Sequence, residues 1–135
     1  MLLKGKRVFI TEDNVTNRSV MQLLLEREGA TVAFERWGLK TCERLRSFVP
    51  VDIILLDLML PDGMSGLIVY DQIRALSEFE NTPIIAVSAK EPDVAIAETQ
   101  AKGFDGFIGK PIDGPRFPGF VQQLLAGGSV WAMMT

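Results

Sequence analysis

Apolar residues in this chain fall into short continuous runs, separated by longer stretches in which they recur every three or four positions. The runs have strand length: Arg7–Thr11, Thr31–Phe34, Asp52–Leu56, Pro83–Val87 and Asp105–Ile108. The stretches between them carry helical spacing. The first helix sets Val20, Leu24 and Leu25 on one face with Leu23 beside it, is capped by Asn14 and stops at Gly29. A second helix spans Gly38–Phe48 with Leu39, Cys42 and Leu45 inward. A third runs over Ser65–Leu76 on Leu67, Ile68, Ile73 and Leu76. A fourth covers Pro92–Lys102 on Val94, Ile96 and Ala97 and ends at Gly103. The last helix ends near Ala126. Gly114, Pro115, Pro118 and Gly119 blur its start, because proline is comfortable only in a first helical turn.

Five strands alternating with five helices predict a parallel sheet covered on both faces. The third strand, Asp52 to Leu56, is apolar throughout its middle, as a strand buried on both sides must be. With right-handed crossovers, the first choice is a flavodoxin-like, doubly wound (βα)5 sandwich with strand order 2-1-3-4-5. One domain is expected over residues 1–126. Residues 127–135 are expected as a flexible tail, opened by Gly127, Gly128 and Ser129, in which Trp131 packs on a partner or is disordered.

Composition narrows the class. With 47% hydrophobic and 23% charged residues the chain is an ordinary globular one and not a disordered segment. A net charge of -3 and the lack of a basic stripe argue against direct nucleic-acid binding. The single cysteine, Cys42, permits no internal disulfide and is read as core packing in a reducing compartment. The opening residues lack the apolar core of a signal peptide, and the run Ile53–Leu60, broken by Asp57, is too short to cross a bilayer. A cytoplasmic protein without a membrane partner is therefore expected.

In an open parallel sheet, ligands bind beyond the carboxyl ends of the strands. Thr11, Glu12 and Asp13 follow the first strand, Asp57 closes the third, Ser88 follows the fourth, and Lys110 with Pro111 follows the fifth. Three carboxylates crowded together repel one another and invite either protons or a divalent cation. Oxygen donors alone, with no histidine in the chain, select a hard ion, Mg²⁺ or Mn²⁺, over zinc. Lys110 adds positive charge on the other side. A carboxylate flanked by two cations suits phosphoryl transfer, with Asp57 as nucleophile and an acyl phosphate as product.

The set Glu12-Asp13, Asp57, Ser88-Ala89 and Lys110-Pro111, in that order and spacing, resembles the response-regulator receiver family of two-component signalling. The flanking residues agree: Thr11 to Asn14 at the first turn, and Asp57 to Gly66 after the third strand. The similarity covers about residues 5–126. It implies that Asp57 takes a phosphoryl group from a sensor histidine kinase or phosphotransfer protein. It further implies Mg²⁺ held by Glu12, Asp13, Asp57 and the backbone carbonyl of Met59, with Lys110 pairing the phosphoryl group. Ser88 then moves to bond a phosphoryl oxygen, Pro111 follows a cis bond, and Phe107 is the aromatic switch that packs inward or outward. A downstream protein would read the change on the face of helix four, strand five and helix five.

Such a domain catalyses only its own phosphorylation and dephosphorylation. Met59 has no polar tip to place a water, and Lys90 brings charge to the pocket rim. Slow to moderate self-hydrolysis is expected from both. Three rivals are weighed. A flavin-binding protein of the same topology wants Ser, Thr and Gly in the first loop, where Glu12 and Asp13 stand. A small phosphatase with an aspartyl nucleophile wants an aspartate where Met59 stands. A phosphorylation-independent adaptor does not need the intact acid, serine and lysine set.

Overall fold

The computed structural model describes residues 1–132, with no side-chain description at Ala132. Six strands form one sheet: β1 (Arg7–Thr11), β2 (Thr31–Glu35), β3 (Ile53–Leu56), β4 (Ile84–Ser88), β5 (Gly106–Gly109) and β6 (Val130–Ala132). Their order is β2-β1-β3-β4-β5-β6, and every neighbouring pair is parallel. The expected 2-1-3-4-5 order is present, within a flavodoxin-like α/β fold. The strand count differs by one, and the extra strand comes from the segment expected as a flexible tail.

Five helices cover the sheet: α1 (Val15–Arg27), α2 (Thr41–Arg46), α3 (Gly66–Arg74), α4 (Pro92–Lys102) and α5 (Phe117–Leu125). One core lies between the sheet and α1 with α5, built on Val8, Ile10, Met21, Leu25, Ile53, Leu55, Val121 and Leu124. The other lies beneath α2, α3 and α4 and includes Phe9, Leu45, Ile54, Leu56, Val69, Ile73, Ala95 and Phe107. All four residues of β3 are buried, so alternation gives one side chain to each core in turn. Among the described residues no helix is long and apolar enough to cross a membrane.

The helix faces differ from the sequence expectation. In α1 the buried residues are Met21 and Leu25, while Val20 and Leu23 are 42% and 57% exposed. The apolar residues of this helix, Val15, Val20, Met21, Leu23, Leu24 and Leu25, spread beyond one stripe, so spacing alone does not choose the one that meets the sheet. In α4 the buried residues are Ala95 and Thr99; Ile96 packs half-buried against the same core as expected, whereas Val94 and Ala97 are exposed. The Thr99 hydroxyl is satisfied internally, donating to the Ala95 carbonyl at 2.7 Å. In α3, Gly66, Val69, Tyr70 and Ile73 face inward and Ile68 is exposed.

Helix α2 is shorter than Gly38–Phe48, and Leu39 lies on the surface. The reason is Glu35. Its buried carboxylate accepts the Trp37 and Gly38 N–H groups and the Thr41 hydroxyl, which holds residues 36–40 as a loop. Helix α5 places Pro118 in its first turn, where a missing N–H costs nothing.

At the amino ends of the strands two arginines tie connections together. Arg7 donates to the carbonyls of Phe48 (2.9 Å) and Pro50 (2.7 Å), and Arg74 to those of Phe79 and Thr82, both at 2.7 Å. Asp105 accepts from Arg74 and from the Ile84 N–H.

Candidate functional site

The carboxyl ends of β1, β3, β4 and β5 meet at one rim. β1 delivers Glu12 and Asp13 into the turn before α1, which Asn14 caps by accepting the Asn17 N–H at 2.9 Å. β3 delivers Asp57, whose N–H donates to the Thr11 carbonyl at 3.0 Å, so the two acidic ends are locked in register. Glu12 is 1% exposed and Asp57 4% exposed. One carboxylate oxygen from each of Glu12, Asp13 and Asp57 lies within 4.8 Å of the others.

Lys110 follows β5, and its peptide bond to Pro111 is cis. Its ammonium bridges two acids, at 2.6 Å from Glu12 Oε1 and 3.1 Å from Asp57 Oδ2. One cation thus serves two buried anions while a third acid stands beside them. Burial is the main cause that pushes the Glu12 carboxyl up to about 7; the Asp57 charge adds to it, and the bond from Lys110 opposes it. Burial pulls the Lys110 ammonium down. The hydrogen bond to Glu12 and the charges of Asp57 and Glu12 overcome this, so the net shift is upward.

The donor chemistry suits a metal ion. Three carboxylates with oxygens this close, one exposed to solvent and two sequestered, form a cluster that could hold a hard cation. The set expected from sequence, Glu12, Asp13, Asp57 and Lys110, is therefore together in space.

Ser88 and Phe107 stand nearby in a different condition. Ser88 ends β4, is fully buried, and its hydroxyl accepts the Lys90 N–H at 3.3 Å. Among the described residues it makes no hydrogen bond to Asp57. Phe107 is fully buried within the core under α4. Met59 donates its N–H to Asp57 Oδ1 at 3.1 Å, and its side chain is half exposed. Lys90 is paired with Glu98 of α4 at 2.7 Å, so its charge is partly neutralised there.

Two contributors escaped sequence reasoning. Gly66 opens α3 against the turn that follows Asp57: a Cβ there would lie 2.1 Å from the Asp57 carbonyl oxygen. Only glycine lets the helix approach this closely, and its N–H donates to the Leu58 carbonyl at 2.9 Å. The second is the buried chain from Thr11 through Thr41 to Glu35, with hydroxyls 3.1 Å apart and Thr41 donating to Glu35 at 2.8 Å. It braces the end of β1 from below. The serine- and threonine-poor motif around Asp57 gave no hint of it, because the partners lie 30 residues apart.

Comparison with known proteins agrees with this geometry. The family model described as "Response regulator receiver domain" matches residues 8–121. The chain is 35% identical over 112 residues to the polar-differentiation response regulator DivK of Brucella ovis, covering 83% of this chain and 89% of that protein. The Brucella anthropi DivK is equally similar, at 35% over 112 residues. Among solved structures, a sensor protein from Polaromonas sp. JS666 superposes with a TM-score of 0.81 at 22% identity, covering 91% of this chain and 98% of that one. The Vibrio cholerae chemotaxis protein CheY4 does so with a TM-score of 0.80 at 21% identity, covering 87% and 97%. At those identities the structural likeness speaks to the fold alone.

Proposed function

Since the chain belongs to the response regulator receiver domain family of two-component signalling, we propose that Asp57 accepts the phosphoryl group and that Lys110, Glu12 and Asp13 form its charge-balancing surroundings. The observation that carries this reading is the buried pair Glu12 and Asp57 bridged by one Lys110 ammonium. The proposed donor is the phosphohistidine of a sensor kinase or of a phosphotransfer protein. Glu12, Asp13, Asp57 and the Met59 carbonyl would hold Mg²⁺, with Mn²⁺ as a substitute. When bound, that ion would supply positive charge to offset the negative charge spread over the transferring oxygens.

The protein's own groups do the rest. Asp57 presents one carboxylate oxygen as nucleophile while the Met59 N–H holds the other. Lys110 is already within hydrogen-bond reach of Asp57, so it can follow the negative charge to a phosphoryl oxygen without crossing the pocket. That transfer also frees Glu12. Ser88 would exchange its bond with the Lys90 N–H for one to the phosphoryl group, and the buried Phe107 would respond by repacking. Such a change shifts a population between two surface states, read by a protein partner on the face of α4, β5 and α5. The domain assists its own phosphorylation and dephosphorylation and turns over no independent substrate. We place it in the cytoplasm, a setting in which the free thiol of Cys42 persists.

The two features expected to slow self-hydrolysis are not equivalent in space. The apolar Met59 side chain borders the acceptor, whereas Lys90 is engaged by Glu98. We assign slow to moderate hydrolysis to Met59. The decisive test is treatment with acetyl phosphate and Mg²⁺, read by intact mass. One phosphoryl group should be gained by the unaltered chain and none by Asp57→Asn. A gain that survives in the variant moves the acceptor elsewhere.

A further inference from the structure

Three polar side chains that the phosphoryl chemistry does not use lie buried together beside the acidic rim. They are Thr11, Glu35 and Thr41, at 1%, 3% and 0% exposure. Thr11 and Glu35 are register partners at the ends of β1 and β2, and Thr41 opens α2. The Thr41 hydroxyl has one hydrogen, which it donates to Glu35 Oε1 at 2.8 Å. The Thr11 hydroxyl, 3.1 Å away, therefore donates to the Thr41 oxygen. The chain of bonds runs one way, from Thr11 through Thr41 to Glu35.

Its near end sits at the residue that registers the two buried acids. The Thr11 carbonyl accepts the Asp57 N–H at 3.0 Å, and the Glu12 N–H donates to the Glu35 carbonyl at 3.1 Å. Residue 11 is thus held by the start of Asp57 through its backbone and by α2 through its side chain. The restraint falls where regular structure stops. β1 ends at Thr11 and α1 begins only at Val15, so Glu12 and Asp13 belong to neither. The far end is anchored as well. The Glu35 carboxylate also accepts the Trp37 and Gly38 N–H groups, the second at 2.7 Å. Gly38 is in turn pressed on residues that follow the acceptor strand: a Cβ there would lie 2.8 Å from the Leu60 side chain and 3.0 Å from those of Met64 and Val69.

Packing by itself does not ask for these groups. Valine has the outline of threonine and would fill positions 11 and 41 without burying a hydroxyl, and burying a polar group costs free energy unless it is bonded. What the hydroxyls add is direction, because a hydrogen bond constrains an angle where dispersion constrains only a volume.

We propose that Thr41 and Glu35 are positioning residues for the acid cluster. Acting through Thr11, they hold Glu12 and Asp13 at the spacing from Asp57 that takes up a divalent cation, without belonging to the cluster themselves. The inference rests on the reading, given above, that these three acids surround the ion.

The test titrates Mg²⁺ alone into the full chain by calorimetry, at a temperature where circular dichroism shows every variant folded. Thr41→Val keeps the outline and deletes the hydroxyl, and its Mg²⁺ affinity should fall about tenfold, as expected for losing a group that orients a metal's surroundings. Thr41→Ser restores the hydroxyl and should bring the affinity back to within about twofold of the unaltered chain. Thr11→Val cuts the same chain at its other link, so the double variant should bind no more than about twofold worse than Thr41→Val. In the metal-free protein, the Glu12 and Asp57 amides should exchange faster in Thr41→Val than in the unaltered chain. Arg74→Ala, altered at the far end of the sheet, should change neither the affinity nor that exchange, which separates positioning from loss of stability. Unchanged affinity or exchange in Thr41→Val, no rescue by serine, effects of the two threonines that multiply, or an equal loss in Arg74→Ala overturns the proposal. An unaltered chain that takes up no Mg²⁺ sinks the reading of the cluster first, and the inference with it.

Discussion

The two ends of the sheet handle buried charge in opposite ways. At the amino ends, the Arg7 and Arg74 guanidiniums are each taken up by two backbone carbonyls, and Arg74 also pairs with Asp105. At the carboxyl ends, Glu12 and Asp57 are nearly out of solvent and share one ammonium, with Asp13 adjacent. Satisfied ions hold a fold together. An acid-rich cluster short of cations stores repulsion that an incoming cation and a shift of Lys110 can relieve. Placement alone thus separates a structural set of charges from a chemical one, even though both use the same residue types.

Substitutions can break this contrast. The largest expected effect is at Asp57→Asn, which should remove phosphoryl acceptance altogether yet raise the urea midpoint, because it deletes one of two crowded anions. Loss of phosphorylation without a drop in stability is the signature to look for; a destabilised variant would mean that Asp57 is structural. Next, Lys110→Met should slow phosphorylation by acetyl phosphate by about 100-fold, as expected for removing a charge-stabilising donor from a buried site. A rate within about threefold of the unaltered chain would show that Lys110 only balances charge at rest.

At the opposite end, Arg74→Ala should cost about 2–3 kcal/mol of stability, since it strips partners from the Phe79 and Thr82 carbonyls and from Asp105. Its phosphorylation rate at low temperature should stay within about twofold. Urea titration and the acetyl phosphate assay measured on the same samples separate the two ends.

The smallest effect concerns pH. The folded chain holds the Glu12 carboxyl at about 7, above its ordinary 4.5, so it keeps a proton that the unfolded chain has already lost. By linkage, this contribution to stability is fully present below about pH 4.5 and is lost as pH rises through about 7 in the metal-free protein. Mg²⁺ competes with the same proton. Its affinity, followed by calorimetry, should rise up to about tenfold per pH unit below 7 and level off above it. The upward shift of Lys110 acts only in strongly alkaline solution. A Mg²⁺ affinity flat between pH 5.5 and about 7 would remove Glu12 from the ion's surroundings.

Much of this was visible in the linear chain. Runs of β-forming residues ending in Glu12-Asp13, Asp57, Ser88 and Lys110 announce both the parallel sheet and its polar rim, because strand period and chain direction are local properties. The third strand needed no tertiary information, since residues 53–56 are apolar without a break.

Other decisions were made only in three dimensions. Which stripe of α1 or α4 faces inward depends on the helix's approach to the sheet, because the apolar residues of each spread over more than one face. Gly66 closes the stretch after the third strand in the sequence, but why it must be glycine is visible only with the Asp57 carbonyl 2.1 Å from where its Cβ would be. Glu35 lies just past the expected second strand, where nothing local marks it as buried, yet three donors converge on it from residues 37, 38 and 41. The segment after Gly127 has the composition of a loose end and becomes a strand because Gly106 leaves room beside β5. Local preference sets what each segment can be. Long-range packing decides which neighbour makes it so, through contacts between residues far apart along the chain.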